Sequence, residues 1–432
     1  MVKKNISSII IALIPFSYII GTFAINTNII IILVWALIIF IKGERFRIQK
    51  IDIIILIFFL YILLTSFLNT YEINFVGNNN NKNFAILNKS LLFFRFFLLY
   101  IAIRLFKSNN LIDFKIIFYS FSLATVFVSI DIIFQFFYGK NIFGFENNMP
   151  HKTTGIFKDE AIAGGFLQRF SLFLFFLIVT LNFIKRTKIK IVTLILFFSL
   201  VLLAIILSGN RMPFLLFILS VFLIFITNQT LKKNFLNVLI LVVAISIVTI
   251  NFSPKLKTYY KTFYKESVKI VSLYSYRIFG IGSDLIYSKR PFYIHEFDAG
   301  IETYKLNKYF GGGVKSFRYN CPKRVIESIH SRTTCNMHPH NYYIEILVDL
   351  GIFGFLLFVS ITAYILVKTY KLLRMQEYKY TFTPFFYVFL MEVFPIKSSG
   401  SFFTTNNSLI IFLTLGFMVS YYWRSHGESN PD

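Results

Sequence analysis

The stretch from His338 to Gly354, "HPHNYYIEILVDLGIFG", sets reactive side chains at the head of a long apolar run. Pro339 disfavours helix at His338, and Asn341 is a good N-cap for the segment that follows. His340 therefore precedes the first helical turn, where the positive end of the helix dipole disfavours imidazolium. A neutral imidazole in a cleft can take a proton from a hydroxyl. Glu345 and Asp349 lie four residues apart, on one helix face below the histidine. Gly351 and Gly354 remove side chains where a second helix could approach closely.

The elements that must position these groups are apolar. The 432-residue chain is 56% hydrophobic and 15% charged, with a mean hydropathy of +0.66. Soluble domains carry about 25% charged residues, so the composition is that of an all-α polytopic membrane protein. A span needs roughly 20 apolar residues. Runs near 6–24, 26–41, 51–68, 89–106, 114–137, 161–184, 191–207, 212–227, 235–251, 341–367, 384–396 and 407–423 predict about twelve spans. The Lys3-Lys4 start leads into an uncleaved first span, without a signal-cleavage pattern.

The short loops 42–50, 107–115, 185–190, 228–234 and 368–379 are rich in Lys and Arg, which places them and both termini in the cytoplasm. This ordering gives an N-terminal bundle of about nine helices over 1–251 and a large outer, periplasmic loop over 252–340. C-terminal spans over 341–423 and a tail over 424–432 complete it. The formal net charge of +24 is in part this topological bias, so no nucleic-acid partner is called for. The loop 252–340 carries 15 Lys and Arg against 6 Asp and Glu, a net charge near +9. Such a domain can dock on anionic lipid head groups or hold an anionic substrate such as a diphosphate.

Both cysteines, Cys321 and Cys335, lie in that loop, and in an oxidising compartment they predict a disulfide. A loop of this size is stabilised by about 3 kcal/mol in the chain-entropy description. A zinc site of the two cysteines with His330 and His338 lacks a Cys-x-x-Cys pair and is disfavoured. Arg95, Arg104 and Asp131 fall inside predicted spans. Arg104 is expected to snorkel to the cytoplasmic surface, and Arg95 to line an outer cavity or pair with Asp131. Asp159 and Glu160 stand at a helix start, where acids are favourable as caps. His151, His295, His330 and His426 have no motif around them.

The spacing His-Asn, nine residues, Gly, two residues, Gly in "HNYYIEILVDLGIFG" resembles the signature of the O-antigen ligase and O-antigen polymerase superfamily. Three further segments are similar to that family. They are "GNRMPFLL", with Arg211 and Leu215 as Arg-x3-Leu, "FGGGVKSFRYNC" with Arg318, and "GIFKDEAIAGGFLQRF" with Asp159 and Glu160. The likeness spans about residues 150–370. Asp349 stands where many members carry Glu, which keeps the charge. The resemblance implies a glycosyltransferase of the bacterial inner membrane that needs no metal and no cofactor. It would move a glycan from undecaprenyl diphosphate to an acceptor at the periplasmic face. The acceptor would be lipid A-core for a ligase, or a second lipid-linked glycan for a polymerase. Residue by residue, it implies that His340 activates the acceptor hydroxyl while Arg211 and Arg318 hold the diphosphate. His338, Asn341, Glu345, Asp349, Gly351 and Gly354 would support the site.

The charge chemistry is compatible. A departing diphosphate gathers negative charge, and guanidinium forks match its oxygens bidentately. A transporter or lipid-linked glycan flippase is the alternative of another class. It would call for repeat symmetry and interrupted spans near the midplane, and no clear repeat is seen.

Overall fold

With no water in a bilayer to satisfy exposed backbone groups, long apolar runs close their hydrogen bonds internally as helices. The computed structural model describes residues 2–76, 80–149, 151–180, 187–227, 235–281, 290–325, 335–375, 379–398 and 400–427. His330 and part of the segment between the two cysteines lie outside these residues. Among them, every regular element is helical.

Among the described residues, six helical stretches are long and apolar enough to cross a membrane. They are Val2–Ile20, Thr22–Ile41, Lys50–Thr70, Ala85–Ser108, Phe114–Tyr138 and Tyr342–Arg374. A seventh results if Asn237–Phe252 and Pro254–Tyr276, bent by 119° at their junction, form one span. Ala163–Ile178, Val192–Leu207 and Arg211–Thr227 are apolar but shorter. The chain is thus helical and multi-pass, with six or seven helices of membrane-spanning length among the described residues beside the twelve apolar runs of the sequence. Apolarity predicts a helix more securely than it predicts that helix's length.

The bundle packs Phe114–Tyr138 against Ala163–Thr180, and sets Thr405–Gly427 between Arg95–Ser108 and Lys379–Glu392. Phenylalanine fills the seams: Phe59, Phe93, Phe402 and Phe412 form one aromatic knot with centroid spacings of 5.0–6.3 Å. Edge-to-face and offset contacts of this kind are favourable beyond the area they bury.

Two intramembrane charges behave differently from expectation. Arg104 does not reach a surface. It is buried and donates to Asp52 from Nε at 3.1 Å and from Nη2 at 2.9 Å, so the pair is neutralised where it lies. Arg95 donates to Thr405 Oγ1 at 3.0 Å, while Asp131 accepts the Ile142 amide at 3.0 Å, so these two do not pair.

A larger buried network has no counterpart in the expectations. Arg169 grips both oxygens of Glu392 at 2.8 and 2.9 Å, with further bonds to Tyr18 and Asn407. Lys397 donates to the same carboxylate at 2.7 Å. Two cations on one carboxylate tie the Ala163–Thr180 and Lys379–Glu392 helices to the loop that follows the latter.

The helix Tyr342–Tyr370 is broken at Gly351, whose φ of 67° and ψ of −172° are not helical. That combination is essentially restricted to glycine. The break admits the backbone of residues 308–313. Gly312 donates to Val348 O at 3.1 Å, Gly313 to Asp349 O at 2.8 Å, and Ile352 to Lys308 O at 2.9 Å. Tyr61 donates its hydroxyl to Leu350 O at 2.9 Å. What approaches Gly351 is therefore a glycine-rich loop rather than a second helix. Gly354 does serve helix contact, lying against the Tyr61 ring of the Lys50–Val76 helix.

Candidate active site

Asn341 caps the Tyr342–Tyr370 helix as the sequence predicts. Its Oδ1 accepts from the amides of Tyr343 and Ile344 at 3.0 and 3.1 Å, and its Nδ2 donates to Pro395 O at 2.8 Å. His340, one residue earlier, has a left-handed backbone with φ of 52°. A non-glycine residue held there is strained by about 1–3 kcal/mol and persists only where its surroundings fix it. The His338 and His340 rings lie 4.3 Å apart. Burial, with the positive charge of Lys152 second, pushes His340 below its ordinary value. Burial, then His340, Lys315 and Arg318, push His338 down to about 4. Both rings are therefore neutral near pH 7.

Lys152 and Arg211 come together through glycine. Gly209 has a φ of 66°, and a Cβ there would fall 2.4 Å from the carbonyl oxygen of His151. The absence of that carbon lets residues 151–153 lie on the 208–210 turn, where Thr153 donates to Ser208 O at 3.3 Å. Lys152 thus faces Arg211, and burial followed by that arginine lowers its pKa. Arg211 opens the Arg211–Thr227 helix. Its guanidinium lies 4.4 Å from the Tyr259 ring centroid and 5.1 Å from that of Phe263. His151, which no motif marks, stacks on Tyr259 at 5.5 Å and completes this clamp.

The two helix-face carboxylates are anchors. Asp349 accepts from the amides of Lys315 at 2.6 Å and Ser316 at 3.0 Å, and from Ser316 Oγ at 2.9 Å. Glu345 accepts from Ser401 Oγ and the Phe402 amide, each at 2.6 Å. Asp349 thereby fixes the loop bearing Lys315 and Arg318, while Glu345 fixes the segment at 401–402. The charge of Arg318 acts on His338. Lys315, with a φ of 59°, is lowered by burial and next affected by Glu345 and Arg318.

Cys321 and Cys335 are joined by a disulfide with Cα atoms 5.7 Å apart. Arg324 donates to Cys335 Sγ and Cys321 O at 2.7 Å and to Glu302 at 2.9 Å, tying the bridge to the Phe292–Tyr304 helix. Asp159 and Glu160 are exposed and do not cap the helix beginning at Ala163; the Gly164 amide is taken by Asn210 Oδ1 at 2.9 Å. Asp159 accepts instead from Asn148 at 3.2 Å.

The arrangement is a strained histidine of lowered basicity near Lys152, which in turn faces Arg211, with Lys315 and Arg318 acting on His338. It can accept a proton and hold an anion at one place. Lys152 and Glu296, whose carboxylate lies 3.6 Å from His340 Nε2, were not singled out from the sequence, where nothing in their spacing marks them.

Residues 194–359 match the family described as O-antigen ligase. The matched segment contains Arg211, Glu296, Arg318 and His340, and supports the O-antigen ligase superfamily together with a ligase- or polymerase-type function in lipopolysaccharide biosynthesis. No curated protein matches the chain.

Proposed function

We propose that the chain is an O-antigen ligase of the bacterial inner membrane, transferring a glycan from undecaprenyl diphosphate to a hydroxyl of lipid A-core at the periplasmic face. The observation that carries this reading is His340 within electrostatic reach of Lys152, which in turn faces Arg211, with His340 and Arg211 inside the matched segment. His340 takes the acceptor hydroxyl proton while the oxygen attacks the anomeric carbon. The bond from that carbon to the diphosphate breaks, and its electron pair leaves on the diphosphate oxygen. Arg211 and Lys152 stabilise this charge, with Arg318 reaching it from the side of His338. Fixed cations in a site that excludes water are effective because they need no reorganisation as charge develops. With this many side-chain cations, a divalent metal is dispensable.

Chromosomal His340→Ala, at normal abundance, is expected to abolish capping of the lipopolysaccharide core and to accumulate lipid-linked polymer. Normal surface polysaccharide in such cells would overturn the assignment. Gel analysis of the same strain separates the two acceptors. Polymer lost from the core indicates a ligase, and single repeats on the core indicate a polymerase.

A further inference from the structure

Glu296 stands on the Phe292–Tyr304 helix with 2% of its surface exposed. Its Oε1 accepts from Asn336 Nδ2 and lies 3.6 Å from His340 Nε2. Its Oε2 is buried without a hydrogen-bond partner among the described residues. A buried carboxylate is normally neutralised by a lysine or arginine. Here the titratable group in ion-pair range is the imidazole of His340, among the described residues.

Several contacts fix this approach. A Cβ on Gly300 would fall 2.4 Å from Ile344 Cγ2 and 3.2 Å from Pro339 Cβ, so the bare glycine seats the helix against the residues flanking His340. Ala299, Phe317, Cys321 and Val348 share a small core beneath it. The Arg324 bonds to Glu302 and Cys335 hold the same helix to the chain just before Asn336 and His338.

We infer that Glu296 is a positioning residue for His340, holding a proton on Nε2 so that Nδ1 presents its lone pair to the acceptor hydroxyl. The inference rests on the transferase reading above. As the hydroxyl proton moves to Nδ1, the ring becomes imidazolium and the carboxylate stabilises it. The proton then passes to solvent or to the departing diphosphate. A separation of 3.6 Å exceeds a hydrogen bond, and catalytic contacts of this kind commonly tighten only once substrate is bound. Burial pushes Glu296 up to about 7, only partly offset by the Asn336 bond. The groups facing this pair are Asn336 on Glu296, and His338 and Lys152 on His340. Neither cation side chain of the diphosphate clamp neutralises the carboxylate.

The test uses full-length protein in nanodiscs. Its substrate is the lipid fraction of a deletion strain, which contains the accumulated donor and the acceptor. Glu296→Gln keeps an oxygen for Asn336 but loses the charge. It is expected to lower kcat by about tenfold to hundredfold, at or below the lower end of the roughly 10²–10⁴-fold that a full acid–base catalyst contributes, with KM little changed. It should also erase the rise in kcat as pH increases through about 7, where the wild-type carboxylate ionises. Glu296→Asp keeps the charge at a longer reach and should retain more activity and the pH dependence. Wild-type kcat and pH profile in Glu296→Gln, with loss only in Glu296→Ala, would reduce the residue to a scaffold for Asn336 and overturn the inference. If Glu296→Gln does not accumulate, Glu296→Asp decides through its pH profile: loss of the rise in kcat with the carboxylate retained also overturns the inference. Wild type and His340→Ala run in parallel separate the failures. No transfer by the wild type sinks the transferase reading itself, and transfer without His340 sinks the base role that the inference assumes. Transfer lost in His340→Ala but at the wild-type rate and pH profile in Glu296→Gln sinks this inference alone.

Discussion

Gly351→Ala is the most demanding single perturbation that the structure offers. At φ of 67° and ψ of −172° the residue occupies a region where an L side chain is strained by about 1–3 kcal/mol. The added carbon would also fall 2.2 Å from the Tyr309 carbonyl oxygen and 2.6 Å from the Gly311 nitrogen, both backbone atoms that cannot rotate away. Relief requires residues 308–313 to withdraw, which breaks the bonds Gly312 to Val348, Gly313 to Asp349 and Ile352 to Lys308. At about 1 kcal/mol net each, these add to the strain to give a destabilisation of about 5 kcal/mol. The withdrawing loop carries Lys315 and Arg318, so transfer should fall with stability. Thermal unfolding in nanodiscs, followed by a thiol-independent fluorescence readout, should show Tm lowered by at least roughly 5 °C. Gly354→Ala is the control. Its carbon would meet Leu350 Cβ at 2.4 Å and Tyr61 Cε1 at 2.8 Å, but its backbone is not left-handed and no bond to the 308–313 loop is lost, so its Tm loss should be smaller. Equal melting of Gly351→Ala and wild type would show that the helix is not broken at this position.

Three other outcomes are expected. Arg211→Lys keeps the charge but loses the planar fork stacked on Tyr259 and Phe263, and should lower transfer by at least about tenfold at normal abundance. Unimpaired transfer would make Arg211 an anchor only. Glu392→Gln leaves Arg169 and Lys397 buried without their shared anion; a loss of about 3–5 kcal/mol should appear as a poor yield of monodisperse protein in detergent. A yield and Tm like the wild type would mean that the network contributes little. Replacing Cys321 and Cys335 together by serine should lower unfolding stability by about 3 kcal/mol, and a non-reducing melting series compared with reduced wild type measures it.

What was legible in the sequence was what neighbouring residues decide. Apolar runs became helices because a bilayer leaves the backbone no other partner, and Asn341 became an N-cap because the amides that donate to its side chain lie two and three residues ahead. The network around Glu392 was not legible, since Arg169 is 223 positions away and each residue alone reads as an isolated intramembrane charge. Gly351 and Gly354 look equivalent in a spacing pattern, yet one breaks the helix and the other packs it. That difference lies in a backbone dihedral set by the loop at 308–313. Lys152 reaches the site only because Gly209 lets residues 151–153 lie down on the turn before Arg211. Glu296 reaches it because Gly300 lets its helix lie against Pro339. In both cases the informative residue was the glycine, and the chemistry-bearing one carried no signal of its own.

These glycines, with the disulfide and the cap, explain how a strained backbone is maintained at His340. The residue after it is bonded to the Pro395 carbonyl, the residue before it is pressed by the Gly300 helix, and the disulfide tied by Arg324 fixes the chain three residues before His338. A left-handed histidine would relax if any one of these held it loosely, because about 1–3 kcal/mol favours release. Held from several directions, the backbone keeps the half-buried ring beside Glu296 and His338, and its partly lost hydration lowers its basicity. Strain, burial and the lowered basicity of the imidazole are thus one consequence of the same convergence of four chain segments on residues 338–341.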